Sequence, residues 1–260
     1  MKEFFGIGGY QRVPEGYMSW QHLVFVTSLM IIMAALAFWF GRRTRKQGTQ
    51  YGNRVMVITA ITLIVVEAFK YTVLGIKAGM ENDPEWWTVN LPLFLCSIQL
   101  FTIPLAAFAK GRVKEASLDF VMIFGILGAI LGTYAAAQNY SCYPVISFNN
   151  VVSGLTHAIA GYASLYIMFS GMGSLKTKNL WITFAILFAV CGMALAANAW
   201  LDYNYMFLRS GDGTPYDILF NLVGGNPILY PMGVMGLFMV YIGAFYGVHH
   251  LIQRKKKVAA

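Results

Sequence analysis

Charge is what this sequence has least of. Only 12% of its 260 residues are Asp, Glu, Lys or Arg, about half the roughly 25% of a soluble globular domain. Hydrophobic residues make up 58% and the mean hydropathy is +0.59, which leaves no room for a soluble domain. Cysteine is scarce too. Cys96, Cys142 and Cys191 cannot build a disulfide framework, and two of them, Cys96 and Cys191, fall inside apolar runs, where free thiols commonly pack as small hydrophobes. Acidic residues number 11 against 19 basic ones, a formal charge of +8. In a soluble chain that excess would point to nucleic acid, but here its distribution excludes that partner. The basic residues gather beside the ends of apolar runs, at Arg42, Arg43, Arg45, Lys46 and Arg54, at Lys110, Arg112 and Lys114, at Lys176 and Lys178, and at Arg254 to Lys257. This is the positive-inside pattern of a polytopic membrane protein, whose partners are membrane lipids. The N-terminus has no charged region leading into a cleavable apolar core, so no signal peptide is expected. No internal repeat or low-complexity segment stands out.

What is abundant is apolar sequence in membrane-length runs. A span needs roughly 20 residues, and seven such runs fit, at about 20–40, 53–76, 89–109, 118–137, 151–172, 180–200 and 228–251. The expected fold is all-α, one membrane domain over 1–260 forming a seven-transmembrane-helix bundle. Alternating directions put every basic cluster on one side, with the N-terminus outside and the C-terminus in the cytoplasm. Trp86 and Trp87 read as an interfacial anchor. In the fourth run, Gly125, Gly128, Gly132 and Ala136 form a small-residue stripe that lets a backbone approach closely, a packing surface for a neighbouring helix, a partner or a second copy.

The stretch Asn90 to Phe101, NLPLFLCSIQLF, is the one place where a thiol, a hydroxyl and an amide enter an apolar run together, as Cys96, Ser97 and Gln99. On a continuous helix Cys96 and Gln99, three apart, share a face, and Pro92 falls in the first turn, where a missing N–H costs little. Polar groups inside membrane helices usually face the bundle interior. Counted from the outer ends at about 1.5 Å per residue, the others reach a similar depth: His22 in the first run, Glu67 and Lys70 with Tyr71 in the second, His157 with Ser153, Gly161 and Ser164 in the fifth, and Asn198 and Asp202 with nearby Asn204 at the end of the sixth. The inner half is nearly bare until His249 and His250. The pattern describes a polar chamber in the outer leaflet, sealed below.

Each of these residues also has a purely structural reading. Glu67 and Lys70 suit an i, i+3 ion pair, His22 an interfacial hydrogen bond, and His157 a bond to a backbone carbonyl. Cys96 suits packing, Asn198, Asp202 and Asn204 a helix end and loop start, and His249 and His250 a solvated helix end. The chemical reading joins them. A thiol becomes a nucleophile beside a base, and His157 lies at the depth of Cys96. Glu67 or Asp202 would orient the imidazole in the manner of a triad, while Lys70 and His22 would hold a phosphate or an oxyanion. Gln99, Asn198, Asp202 and Asn204 complete the substrate-binding set. Such a nucleophile would meet lipid esters first, which suggests acyl transfer. No cofactor or metal is expected. HxxxH and HExxH spacings are absent, and the seventh run has no lysine for a retinal Schiff base.

At LPLFLCSIQLF, ANAWLDYNYMFL and NPILYPMG the chain resembles the YwaF-like family of bacterial integral membrane proteins, which looks related to eukaryotic cysteine-dependent acyltransferases that remodel ether phospholipids. The family pattern reads LPLHLC, then a histidine in a later helix, then NYM at the end of the sixth. Here these fall on Cys96, on His157, and on Asn204, Tyr205 and Met206. The departure is Phe94, where the family commonly has histidine, so one proton carrier is missing. The resemblance implies a lipid acyltransferase of the bacterial cell membrane, or a relative that kept the cavity without the chemistry. Two competing readings stand beside it: a non-enzymatic protein holding a small polar ligand or ion around Glu67, Lys70 and Asp202, and a structural subunit packed through the small-residue stripe.

Overall fold

The computed structural model describes residues 1–258, and the described residues form helices and turns with no strand. In chain order the helices are α1 (Lys2–Phe5), α2 (Trp20–Gln47), α3 (Thr49–Glu81), α4 (Trp86–Asn90), α5 (Gln99–Phe108), α6 (Gly111–Tyr134), α7 (Ala137–Cys142), α8 (Phe148–Ser170), α9 (Leu180–Leu201), α10 (Tyr216–Leu222) and α11 (Leu229–Val258). Six stretches are long and apolar enough to cross a membrane: Trp20–Gln47, Thr49–Glu81, Gly111–Cys142, Phe148–Ser170, Thr177–Leu201 and Leu229–Ile252. The chain is thus an all-helical, multi-pass membrane bundle. α2 and α3 run well beyond the boundaries expected for them, α2 because Arg and Lys are good helix formers and carry GRRTRK past the apolar layer. Only Gly48, at φ 86°, separates the two.

The expected third span is where the structure departs most. Residues 89–109 do not form one helix. α4 ends at Asn90, residues 91–98 turn, and helix resumes at Gln99. The cause is Pro92, which disfavours helical geometry in the residue before it. Leu91 is accordingly extended at φ −56° and ψ 138°. Carbonyls freed by the break must find donors inside the bundle, and two tyrosines supply them. Tyr71 on α3 donates its hydroxyl to the Asn90 carbonyl, and Tyr205 donates to the Thr88 carbonyl. Ten-residue α5 is too short to span alone, and Pro104 lies within it.

α6 and α8 are the central pair and pack together most extensively, with α2 against α8, α5 against α6, and α3 against α5. α2 and α3 carry the broad apolar faces that lipid would cover, including Ile31, Ile58, Val65 and Phe69. The small-residue stripe of α6 is filled from within the chain. A Cβ on Gly125 would lie 2.6 Å from the Ala160 carbonyl oxygen of α8, and one on Gly128 3.3 Å from Cα and Cβ of Cys96. Gly132 faces the ring of His157. At these glycines the stripe is therefore no surface for a partner helix or a second copy.

The basic clusters meet at one end of the bundle. Lys114 donates to Asn53 at the start of α3, Arg112 to Lys178 and Asn179, and Lys176 pairs with Glu115 at 2.7 Å. His250 of α11 bonds Thr177 at the same end. Here the structure corrects the expectation of a bare inner half. Asp119 of α6 is fully buried and accepts hydrogen bonds from Ser174 N–H (2.8 Å), Leu175 N–H (3.0 Å), Ser174 Oγ (3.3 Å) and the Tyr246 hydroxyl (3.1 Å). It ties the α8–α9 loop to α6 and α11.

At the opposite end the N-terminal arm lies over the α7–α8 loop. Phe4 and Phe5 pack on Phe148, and Glu15 accepts the N–H of Val145 at 2.7 Å. Glu3 closes the arm by accepting the N–H groups of Gln11 and Arg12 (3.2 and 3.0 Å), bonds that hold its carboxyl below the ordinary 4.5. A group whose folded pKa is depressed stabilises above its unfolded value and loses that contribution as pH falls through the folded one. Protection of the Gln11 and Arg12 amides, taken relative to their intrinsic exchange rates, is therefore expected to fall as pH drops below the ordinary glutamate range. Glu3→Gln should show the lower protection already at neutral pH, and equal protection in the two proteins at both pH values would refute the Glu3 closure.

Candidate active site

Five of the candidate catalytic and substrate-binding residues converge on one cavity of about 510 Å³: Glu67, Lys70, Cys96, Gln99 and His157. That volume lies within the range of small-molecule sites. α6 backs the two reactive residues from behind the cavity lining. Gly128 and Gly132, four apart and so on one face, leave the space that the Cys96 turn and the His157 ring occupy. The stripe read as packing is thus the seat of the thiol and the imidazole.

His157 is oriented by its own helix. Nδ1 lies 2.7 Å from the carbonyl oxygen of Ser153, with Ser153 Oγ at 3.5 Å. A carbonyl only accepts, so Nδ1 carries the proton, and in the neutral ring Nε2 is left with its lone pair. Nε2 is buried and has no hydrogen-bond partner. The thiol of Cys96 lies beside the ring and also contacts Ser97 Oγ at 3.9 Å. The geometry is that of a base and a thiol in proximity, with a short movement needed to join them. Catalytic bonds are often loose in ligand-free structures.

Glu67 does not orient the imidazole, since the Ser153 carbonyl holds that position. It is instead paired with Lys70 at 3.0 Å on α3, one turn apart. Lys70 Nζ also sits 5.2 Å from the Tyr71 ring centroid. The ion pair lines the cavity beside Asn90.

The remaining expected residues lie elsewhere. His22 is fully buried, with Nε2 on the Thr133 carbonyl (3.1 Å), Nδ1 accepting Met18 N–H (3.2 Å), and the ring 3.8 Å from that of Tyr140. Both nitrogens are used, so it joins α2 to α6 and cannot serve a headgroup. Asn198 clamps the chain after α9, exchanging two bonds with the Tyr205 backbone (2.6 and 3.1 Å). Asp202 ends α9 in the left-handed region at φ 50° and pairs at the surface with Arg209 (2.6 Å). Asn204 binds Ser210, Asp212 and the Arg209 N–H within the following loop. All three took their structural reading.

Other cavity residues went unnoticed in the sequence. Gln138, Asn139 and Cys142 line it from α7, a short helix in what looked like an uncharged loop. The i, i+3 and i, i+4 spacing of Asn139 and Gln138 to Cys142 was the available signal. Tyr203 reaches the cavity from beyond α9 and packs edge-on with Phe94 at 6.4 Å. Phe94 meets Tyr205 and Phe207 as well. It therefore forms an apolar wall where the resembling family carries histidine.

A family model described as the TMEM164 family matches residues 17–246. The chain belongs to the TMEM164 family. That match covers the bundle from before α2 into α11 and contains every cavity residue. The match is consistent with the expected membrane protein family related to ether-lipid acyltransferases, and the name it carries is TMEM164. No curated protein and no solved structure matches the chain.

Proposed function

We propose that the protein moves an acyl group between membrane lipids, with Cys96 as nucleophile and His157 as general base. The observation that carries this reading is the free, buried Nε2 of His157 beside a thiol. The Ser153 carbonyl fixes the tautomer that a base needs. Membership in a family associated with lipid acyl transfer supports the same chemistry. Lys70, held by Glu67, is the cation that meets a phosphate of the lipid headgroup, and the asparagine and glutamine side chains of the cavity supply neutral hydrogen bonds. Binding and transport without chemistry is the weaker account. The Glu67–Lys70 charges already satisfy each other, while the imidazole beside the thiol has an unpartnered nitrogen.

By the positive-inside rule the end carrying the basic clusters faces the cytoplasm. The cavity then opens toward the outer leaflet, with the N-terminus outside, the C-terminus inside and the interrupted segment α4–α5 as the seventh crossing. The bacterial cell membrane is the location that the YwaF-like resemblance implies.

Purified protein in lipid tests the assignment. Cys96→Ala should abolish transfer of a labelled acyl chain from phosphatidylcholine to a lysolipid. His157→Ala should lower it by about 10²–10⁴-fold and slow labelling of Cys96 by a thiol-directed probe. Transfer by Cys96→Ala at the wild-type rate would remove Cys96 as the nucleophile.

A further inference from the structure

A second buried atom in the cavity is also unused. Gln99 is 1% exposed and lines the cavity, and its Nε2 donates to no acceptor. Its other end is fixed, because Oε1 accepts the hydroxyl of Thr102 at 2.9 Å. An amide anchored through its oxygen presents its N–H groups in one direction. Leaving such a donor buried and unmade costs about 1–3 kcal/mol, and here it is left so three residues from the thiol.

The backbone adds donors at the same place. After the break at Pro92 the chain winds again, with Ile98 N–H on the Phe94 carbonyl (3.0 Å), Gln99 N–H on that of Cys96 (3.4 Å) and Leu100 N–H on that of Ser97 (3.0 Å). The N–H groups of Cys96 and Ser97 have no backbone acceptor among the described residues, since the Phe94 carbonyl is taken by Ile98. Both lie in the turn that leads into α5, whose cap is Ile98. Had residues 89–109 formed one helix, these N–H groups would have been spent on preceding carbonyls.

We propose that Gln99 Nε2, together with the N–H of Cys96, forms the oxyanion hole of the acyl transfer. The proposal rests on the reading of Cys96 as nucleophile. In the first half-reaction His157 Nε2 takes the thiol proton and Sγ attacks the ester carbonyl carbon of a donor lipid. The carbonyl π pair moves to oxygen, where Gln99 and the Cys96 N–H receive it. When that pair returns, the C–O ester bond breaks, and His157 gives its proton to the departing lysolipid alkoxide. A thioester on Cys96 remains. In the second half His157 takes the proton of an acceptor hydroxyl, whose oxygen attacks the thioester through the same oxyanion. The C–S bond breaks and the thiolate recovers the proton. No oxidant, reductant or further reactant is needed. Donors aimed at developing charge in a water-poor site are commonly the largest single contribution to such a step.

The test compares two reactions of the same sulfur in the full-length protein. Acylation by p-nitrophenyl octanoate passes through the oxyanion. Alkylation by iodoacetamide displaces iodide and does not. Gln99→Met keeps the volume and removes both donors. Gln99→Glu keeps an acceptor for Thr102 but puts an oxygen where Nε2 was. Each is expected to slow acylation of Cys96 by about 10²–10³-fold while alkylation stays within about twofold. Wild-type acylation in Gln99→Met would overturn the oxyanion role and leave Cys96 as nucleophile. An equal fall in both reactions would also overturn it, since Gln99 would then only hold the thiol in place. Acylation that survives in Cys96→Ala, or is absent from wild type, would defeat the acyl-transfer reading itself.

Discussion

Gly132→Ala is expected to remove acyl transfer almost completely while leaving a folded protein. The added Cβ would overlap Cδ2 and Nε2 of His157, the two ring atoms on the side left free by the Ser153 bond. The ring cannot keep that bond and clear the new methyl, so it must turn, and the base nitrogen leaves the thiol. Loss of a positioned general base costs about 10²–10⁴-fold in rate, whereas overpacking of one methyl costs about 1–3 kcal/mol of stability. Acyl-transfer rate and thiol-probe labelling of Cys96 should fall together. Gly128→Ala is the control on the same face. Its Cβ would stand 3.3 Å from Cα and Cβ of Cys96, a contact that a shift of a few tenths of an ångström relieves, so a much smaller loss is expected. A Gly132→Ala protein with wild-type transfer would mean that His157 does not act as base in this orientation.

Asp119→Ala is expected to give the largest stability loss of any single polar substitution, at the end of the bundle away from the cavity. The carboxyl accepts four hydrogen bonds, two from backbone N–H groups of the α8–α9 loop and one from the buried Tyr246 hydroxyl. Removal leaves those donors without a partner where water is scarce, at about 1–3 kcal/mol for each buried one. The sum is roughly 3–5 kcal/mol after the loop relaxes. Thermal unfolding in detergent measures it. Asp119→Asn, which keeps one acceptor oxygen, should fall between Asp119→Ala and wild type. Tyr246→Phe should cost less, because among the described residues Thr183 at 3.0 Å is the only other group its hydroxyl engages. Wild-type stability in Asp119→Ala would show that the loop is held by its apolar contacts alone.

The membrane class was fully legible in the sequence. Apolar length and the position of basic residues reflect the solvent around each segment, and solvent acts on local composition. Five cavity residues were also legible, because a polar group inside an apolar run carries a cost that only an interior site relieves. Rotation of those residues about their helices was not. Depth along a run says nothing of direction, so His22, Asn198, Asp202 and Asn204 sat at the right level and faced other partners.

The sequence by itself determined that the chain is a multi-pass helical membrane protein with a thiol, an imidazole, an amide and one ion pair near a common depth. Tertiary structure decided the rest. The break at Pro92 turned a thiol on a helix face into one in a turn that leads into a helix, with free N–H groups. The glycines of α6 came to lie behind it, and the Ser153 carbonyl, rather than a carboxylate, set the histidine tautomer. Each of these depends on which backbone approaches which, a long-range choice made by packing α6 against α8 and folding the broken segment between them.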